Sequence, residues 1–184
     1  MTVLPLASAR LALRPFRRSD LPAFTAYRSD PEVARYQSWS SYTPQDAEAF
    51  FAQQDGLVFD LDGSWFQVAV ERAADGALLG DVALHFFDEG RQVEIGFTFD
   101  RAHQGAGYAN EAVARVLALL FGEMGKHRVV ATVDVDNARA VRLLEGLRFR
   151  REAHHVQNVF FKGAWSDEYI YALLGDCPPI FSMR

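Results

Sequence analysis

The chain has one cysteine, Cys177, so it can build neither an internal disulfide nor a cysteine metal cluster, and no metal is expected. No apolar run approaches the roughly 20 residues of a membrane-spanning helix. The N-terminus lacks a basic segment followed by a long apolar core, so no signal peptide is expected and cytoplasm is the default. Lysine is almost missing: 17 of the 19 basic residues are arginine, leaving Lys126 and Lys162. Acids outnumber bases by 24 to 19, and a net charge of −5 points away from nucleic acid and toward a cationic partner. There are no repeats, low-complexity segments or linkers. No Lys-Ser or Lys-Thr follows the paired glycines at 105 and 107, which excludes the Walker phosphate loop. The third glycine of a dinucleotide fingerprint would fall on Asn110.

What is present is ample apolar material. Hydrophobic residues make up 49% of 184, with 15 phenylalanines, enough for one packed domain over residues 1–184. Leu11 to Pro15 reads as a first strand. Ser19-Asp20 offers an N-cap for a short helix to about Ser29, and Pro31 opens a further helical turn. Thr43-Pro44 with Asp46 predicts a capped helix whose buried stripe is Ala47, Phe50 and Phe51. Trp65–Glu71, Leu78–Phe87 and Gln92–Phe99 read as an antiparallel run, joined by turns at Ala73–Gly76 and Glu89-Gly90.

Residues 107 to about 121 carry apolar positions at helical spacing, and Gly122 and Gly125 end that helix. The strand that follows, Arg128–Val135, is nearly all apolar, as expected for burial on both faces. It should run parallel to Gln92–Phe99, because a helix crosses between them. Asp136-Asn137 caps a last helix, and Phe149–Phe161 and Asp167–Leu174 read as final strands. Where a helix C-cap is needed, the text is Gly146-Leu-Arg148. Glycine accepts a left-handed conformation at no steric cost, so Gly146 is expected to take the cap.

The stretch with chemical promise is Gln104-Gly-Ala-Gly-Tyr-Ala109, set between a strand and a helix. Glycine at 105 and 107 lets the backbone turn with positive φ and bares amide hydrogens at the helix's first turn, where the helix dipole adds partial positive charge. This suits a phosphate or diphosphate; taken alone, it also suits a tight connection with no ligand.

Gln-x-x-Gly-x-Ala after a strand resembles the acetyl-CoA signature of the GNAT superfamily of N-acetyltransferases. The flanking Glu94-Ile-Gly-Phe-Thr-Phe and Tyr-Ala-Asn-Glu-Ala112, with Arg10-Leu-Ala-Leu-Arg-Pro-Phe16, are similar to its RimJ/RimL-like branch, named for enzymes that acetylate ribosomal-protein N-termini. The resemblance runs to about Leu174. It implies an α+β fold: a mixed, mostly antiparallel seven-stranded sheet splayed between strands 4 and 5, flanked by four or so helices. It also implies acetyl transfer from acetyl-CoA to a primary amine of a protein or peptide N-terminus, an amino acid or a small amine. A CoA-binding regulatory protein with little catalysis is the alternative.

Carried over residue by residue, the CoA arm pairs with the backbone of Phe97, Thr98 and Phe99, and the diphosphate rests on Gln104, Gly105, Ala106, Gly107, Tyr108 and Ala109. Asn137 matches the family asparagine that bonds the arm, and is equally a plain N-cap. The Phe99 amide is the expected oxyanion donor. Glu94 is the leading base or else a structural carboxylate, with His85 and Glu111 as further candidates. Tyr36, Trp39 and Tyr42, with His85, line the acceptor site or belong to the core. The positions where the family often holds an acid, three and seven residues after the asparagine, are Ala140 and Leu144, which cannot donate a proton; Tyr108, Tyr169 or a water remain. Homodimers are common in the branch, and Phe160, Phe161 and Trp165 are either an interface or core.

Overall fold

A computed structural model describes residues 4–175; the tail reading around Cys177, Pro178 and Pro179 lies outside the described residues. One mixed sheet holds eight strands in the order β1-β2-β3-β4-β5-β6-β8-β7. In chain order they are β1 Leu6–Ala7, β2 Leu11–Pro15, β3 Trp65–Arg72, β4 Leu78–Phe87, β5 Gln92–Phe99, β6 Arg128–Asp134, β7 Arg150–Phe161 and β8 Ala164–Leu174. The helices are α1 Leu21–Arg28, α2 Pro31–Ala34, α3 Pro44–Gln54, α4 Tyr108–Ala118 and α5 Ala138–Gly146. None among the described residues is long and apolar enough to cross a membrane.

The strand count corrects the expected seven. The extra strand is β1, two residues that fold back on β2 with Leu6 opposite Leu13. Two residues show no alternation to read, so pattern alone cannot find such a strand.

The sheet is sandwiched. Ala112, Val113, Val116 and Leu117 of α4, with Ala140 and Leu144 of α5, pack on one face against Val82, Leu84 and Phe86. Phe24 and Tyr27 of α1 and Ala47 of α3 pack on the other, against Ala69 and Leu78. Alternation in β3 supplies both layers, with Val68 and Val70 facing one way and Ala69 the other. On the second face a buried ion pair ties α1 to β4: Arg28 donates to Asp81 at 3.2 Å, and Tyr27 donates to the same carboxylate at 2.5 Å. Burial and the Asp81 charge together push the Tyr27 hydroxyl well up.

Two capping expectations met different outcomes. Thr43 and Asp46 form the predicted reciprocal box at the start of α3. Asp20 does not cap α1; its carboxylate is buried against Arg14 at 2.7 and 2.8 Å and accepts from the Arg17 amide. A buried arginine outcompetes the helix end for that carboxylate.

The pairing that shapes the site is β5 with β6. It is the one parallel pair among the described residues, and it lasts only from Gln92–Glu94 against Arg128–Val130. Beyond that, β5 stays with β4 to Phe99 while β6 stays with β8 to Asp134, so a wedge opens between them. Gly80 of β4 helps to hold β5 on its side. A Cβ there would lie 2.3 Å from the Thr98 carbonyl oxygen, so only glycine permits so close an approach.

The end of α5 also corrects the sequence. Gly146 is helical, and Arg148 takes the left-handed cap with φ 63°. Arg148 N–H donates to Glu145 C=O and Phe149 N–H to Leu144 C=O, both at 3.0 Å, which is a Schellman closure. Phe149 and Leu144 are both buried, and their burial sets which residue must turn left-handed. Arg148→Gly should therefore raise stability by about 1 kcal/mol in urea unfolding; an unchanged or lower midpoint would mean that the cap carries no strain.

Candidate functional site

The wedge presents backbone groups that lack strand partners. Asp100 N–H donates to Leu79 C=O, and β4 pairs with β5 in simple antiparallel register. Residues alternate in such a ladder, so Thr98 turns its N–H and C=O toward β4 while Phe97 and Phe99 turn theirs into the wedge. The expectation that all three face the gap is thus corrected for Thr98. The Phe99 carbonyl is met by the Gln104 side-chain amide at 2.9 Å, and Arg139 of α5 donates to the other end of that amide. Buried or half-buried amides seek partners, so this row favours an extended, amide-bearing ligand.

Beside the wedge lies the glycine loop. Gly105 and Gly107 both have φ 81°, and Gly107 stands as the N-cap of α4. The amides of residues 105–110 have no intramolecular acceptor among the described residues. The loop is held from outside. Glu111 accepts from Ser8 Oγ at 2.7 Å, Arg10 N at 2.8 Å and Arg10 Nε at 2.6 Å, while Arg10 Nη1 donates to Ala106 C=O at 3.0 Å. The Arg10 guanidinium also lies over the Tyr108 ring, 4.5 Å from its centroid. Desolvation would raise the Glu111 carboxyl, but the bonds from Ser8 and Arg10 outweigh it and hold the group below the ordinary range. Glu111 is therefore a tether for the loop and no base; Tyr108 packs under Arg10 and lines neither cavity.

Two cavities open on the wedge. The larger, about 470 Å³, is lined by Phe97, Thr98, Phe99, Gln104, Ala109 and Asn137 among the expected residues, and Arg35, Arg139 and Arg142 outnumber Glu32 and Asp136 around it. The smaller, about 190 Å³, is lined by Gly96, Thr132, Asp134, Val159, Phe161 and Glu168. Both share Tyr36, Gln37, Phe97 and Asn137 as a common wall. Asn137 Oδ1 caps α5 by accepting from Ala140 N at 3.2 Å, which leaves its amide NH2 without a partner among the described residues.

Other expected residues lie elsewhere. Trp39 donates to Arg28 C=O at 2.9 Å and stacks on the Arg28 guanidinium with Tyr42, so both aromatics enclose the buried ion pair and line neither cavity. His85 is stacked between Trp65 and Phe87. Glu94 stands behind the cavity wall, where it accepts from Thr132 Oγ1 at 3.2 Å. Tyr169 packs on Arg151 and His154. Phe160 and Trp165 are exposed and so are not core, whereas Phe161 lines the smaller cavity. Asp134 and Glu168 escaped sequence reasoning, because nothing local says that β6 and β8 will bring them opposite each other at a cavity.

Residues 10–150 match the family model for an acetyltransferase (GNAT) domain. The chain is 31% identical to the uncharacterized N-acetyltransferase YnaD of Bacillus subtilis strain 168, over 92% of this chain and 96% of the relative. Among solved structures it is similar to a GNAT-family acetyltransferase from Bacillus anthracis, with TM-score 0.85, 28% identity and coverage of 94% and 99% of the two chains. It is also similar to spermidine N-acetyltransferase from Vibrio cholerae, crystallised with CoA and spermine, with TM-score 0.79, 25% identity and coverage of 91% and 97%.

The tether at the glycine loop should show itself in acid. A carboxyl held below its ordinary value of 4.5 contributes stability that is present above that value and lost as pH falls through the depressed one. Glu111→Gln should accordingly lower the thermal midpoint at pH 7, and the gap to wild type should narrow as the pH falls below 4.5 and on through the depressed value. A gap that persists unchanged in acid would mean that the charge is not what holds the loop.

Proposed function

The chain belongs to the GNAT acetyltransferase family, and from that premise we propose that it acetylates the primary amine of a cationic small molecule or peptide, admitted through the smaller cavity. The enzyme is an acetyl-CoA-dependent N-acetyltransferase. The observation that carries the acceptor reading is the meeting of two cavities across one wall, with arginines outnumbering acids around the larger and Asp134 and Glu168 as the charged residues of the smaller.

The larger cavity fits acetyl-CoA by the chemistry of its lining. Phe97 offers its backbone N–H and C=O and Phe99 its N–H to an amide-bearing arm, and Thr98 supplies cavity wall. The unpartnered amides around Gly105, Ala106, Gly107, Tyr108 and Ala109 suit a diphosphate, and Arg139 and Arg142 stand close by. Asn137 reaches the arm with its free amide. Bound there, acetyl-CoA supplies an activated acetyl thioester. Phe99 N–H donates to the carbonyl oxygen as charge builds on it. Glu94 takes the amine proton through a water, since its carboxylate lies one residue behind the wall at Thr132.

The acceptor side is acidic. Asp134 and Glu168 are partners in the β6–β8 ladder, and neither has a basic side chain within salt-bridge distance among the described residues. Two carboxylates without cations beside a small cavity attract a positively charged guest and orient it. The spermidine-acetylating relative supports a polyamine as the first substrate to try. The Arg10–Phe16 segment and the text around the glycine loop support the RimJ/RimL-like branch, which makes a basic peptide N-terminus the second.

Free thiol release from acetyl-CoA should be fastest with di- and polyamines or basic peptides and slow with neutral primary amines. Asp134→Asn with Glu168→Gln should raise KM for the cationic amine by about tenfold and leave KM for acetyl-CoA unchanged. Equal rates with neutral amines, and no change in the double variant, would contradict the acceptor class; tight CoA binding without turnover on any amine would contradict transfer itself.

A further inference from the structure

Acetyl transfer from a thioester ends with a thiolate that must take up a proton, and the expected donors are not where the transfer occurs. Ala140 and Leu144 are buried carbon side chains, and Tyr108 and Tyr169 line neither cavity. With donor and acceptor in the two cavities, the reacting atoms lie at the wall the cavities share. Four residues form that wall: Tyr36, Gln37, Phe97 and Asn137. Phenylalanine has no proton to give, and side-chain amides do not cede one near neutral pH. The Tyr36 phenol alone among them can donate a proton and take it back.

Its placement is defined. Tyr36 follows α2, and its hydroxyl donates to Asp136 C=O at 3.1 Å, next to the Asn137 cap, a long bond that a rotation about the phenol C–O bond exchanges for one to sulfur. The Arg35 guanidinium packs on the ring, 5.2 Å from its centroid, and keeps it across the wedge from Phe97. We infer that Tyr36 is a catalytic residue, the proton donor to the departing CoA sulfur. As the amine nitrogen bonds to the acetyl carbon, the carbon–sulfur bond breaks and its electron pair goes to sulfur, joined there by the Tyr36 proton. The phenolate regains a proton from the one that Glu94 and its water remove from the amine nitrogen, so the tyrosine returns to its starting form and the products are amide and free thiol. The inference rests on the two-cavity reading of the proposed function.

Titration of the thiol in the CoA complex, followed by NMR of the carbon next to sulfur, tests the assignment without any acceptor amine. A phenol that donates to sulfur stabilises the thiolate, so the bound thiol should titrate about one pH unit lower in wild type than in Tyr36→Phe. The variant should also lose about 100-fold in kcat with the best amine, with KM for acetyl-CoA within about threefold of wild type. If CoA binds both proteins and the two thiols titrate together, Tyr36 is not the donor, while the cofactor reading stands. A loss of CoA affinity in the variant at unchanged thiol titration makes it a wall residue only and overturns the inference. If CoA does not bind wild type, both readings fall.

Discussion

Everything functional in this protein follows from two strands that part company. β5 and β6 pair for three residues and then follow different neighbours, β5 bound to β4 and β6 to β8. A sheet gains hydrogen bonds by staying closed, so a wedge inside one persists only if each arm is held more firmly elsewhere. Here each arm has a full antiparallel ladder on its outer side, and Gly80 lets β4 approach β5 more closely than any side chain would allow. The opening exposes amides on Phe97 and Phe99 in the middle of the sheet, between two strands that are each paired on the outer side. That surface suits a ligand that is itself peptide-like.

The surroundings turn an opening into a site. α4 begins where the wedge widens, and its first turn leaves a run of amides bare. The tether from Glu111 to Ser8 and Arg10 ties that turn to the β1–β2 corner, and Arg10 also holds the Ala106 carbonyl. On the far side, the buried Arg28–Asp81 pair, walled by Trp39 and Tyr42, fixes α1 to β4. α2 and Tyr36 are thereby carried over the wedge. A buried pair of this kind contributes little to net stability, but removing one partner costs about 3–5 kcal/mol, so it serves to fix a single arrangement.

Much of this was legible in the residues. The alternation of Trp65–Glu71, Leu78–Phe87 and Gln92–Phe99 marked the antiparallel run, and the loop from Gln104 to Ala109 marked the turn of bare amides before α4, because glycine and helix start are local signals. Two classes of feature were not legible. Short pairings such as β1 carry no period. Long-range competition decides the rest: Asp20 was expected to cap α1 and is taken by Arg14, and Gly146 was expected to end α5 but is overruled by the burial of Phe149. The aromatics at 39 and 42 look alike in sequence to the one at 36. Only packing separates the two that enclose Arg28 from the one that faces the wedge. The carboxylates of Asp134 and Glu168 acquire meaning only when the ladder sets them opposite each other.

The wedge should hold its amides open for the acyl carrier. Residue-resolved amide hydrogen exchange, with and without CoA, addresses it most directly. In the free protein, Phe97 and Phe99 should exchange faster than Val93 on the same strand, and saturating CoA should slow both by at least about tenfold. Slow exchange at Phe97 and Phe99 before any ligand is added, or rates that CoA leaves unchanged, would mean that the strands are closed or the arm lies elsewhere.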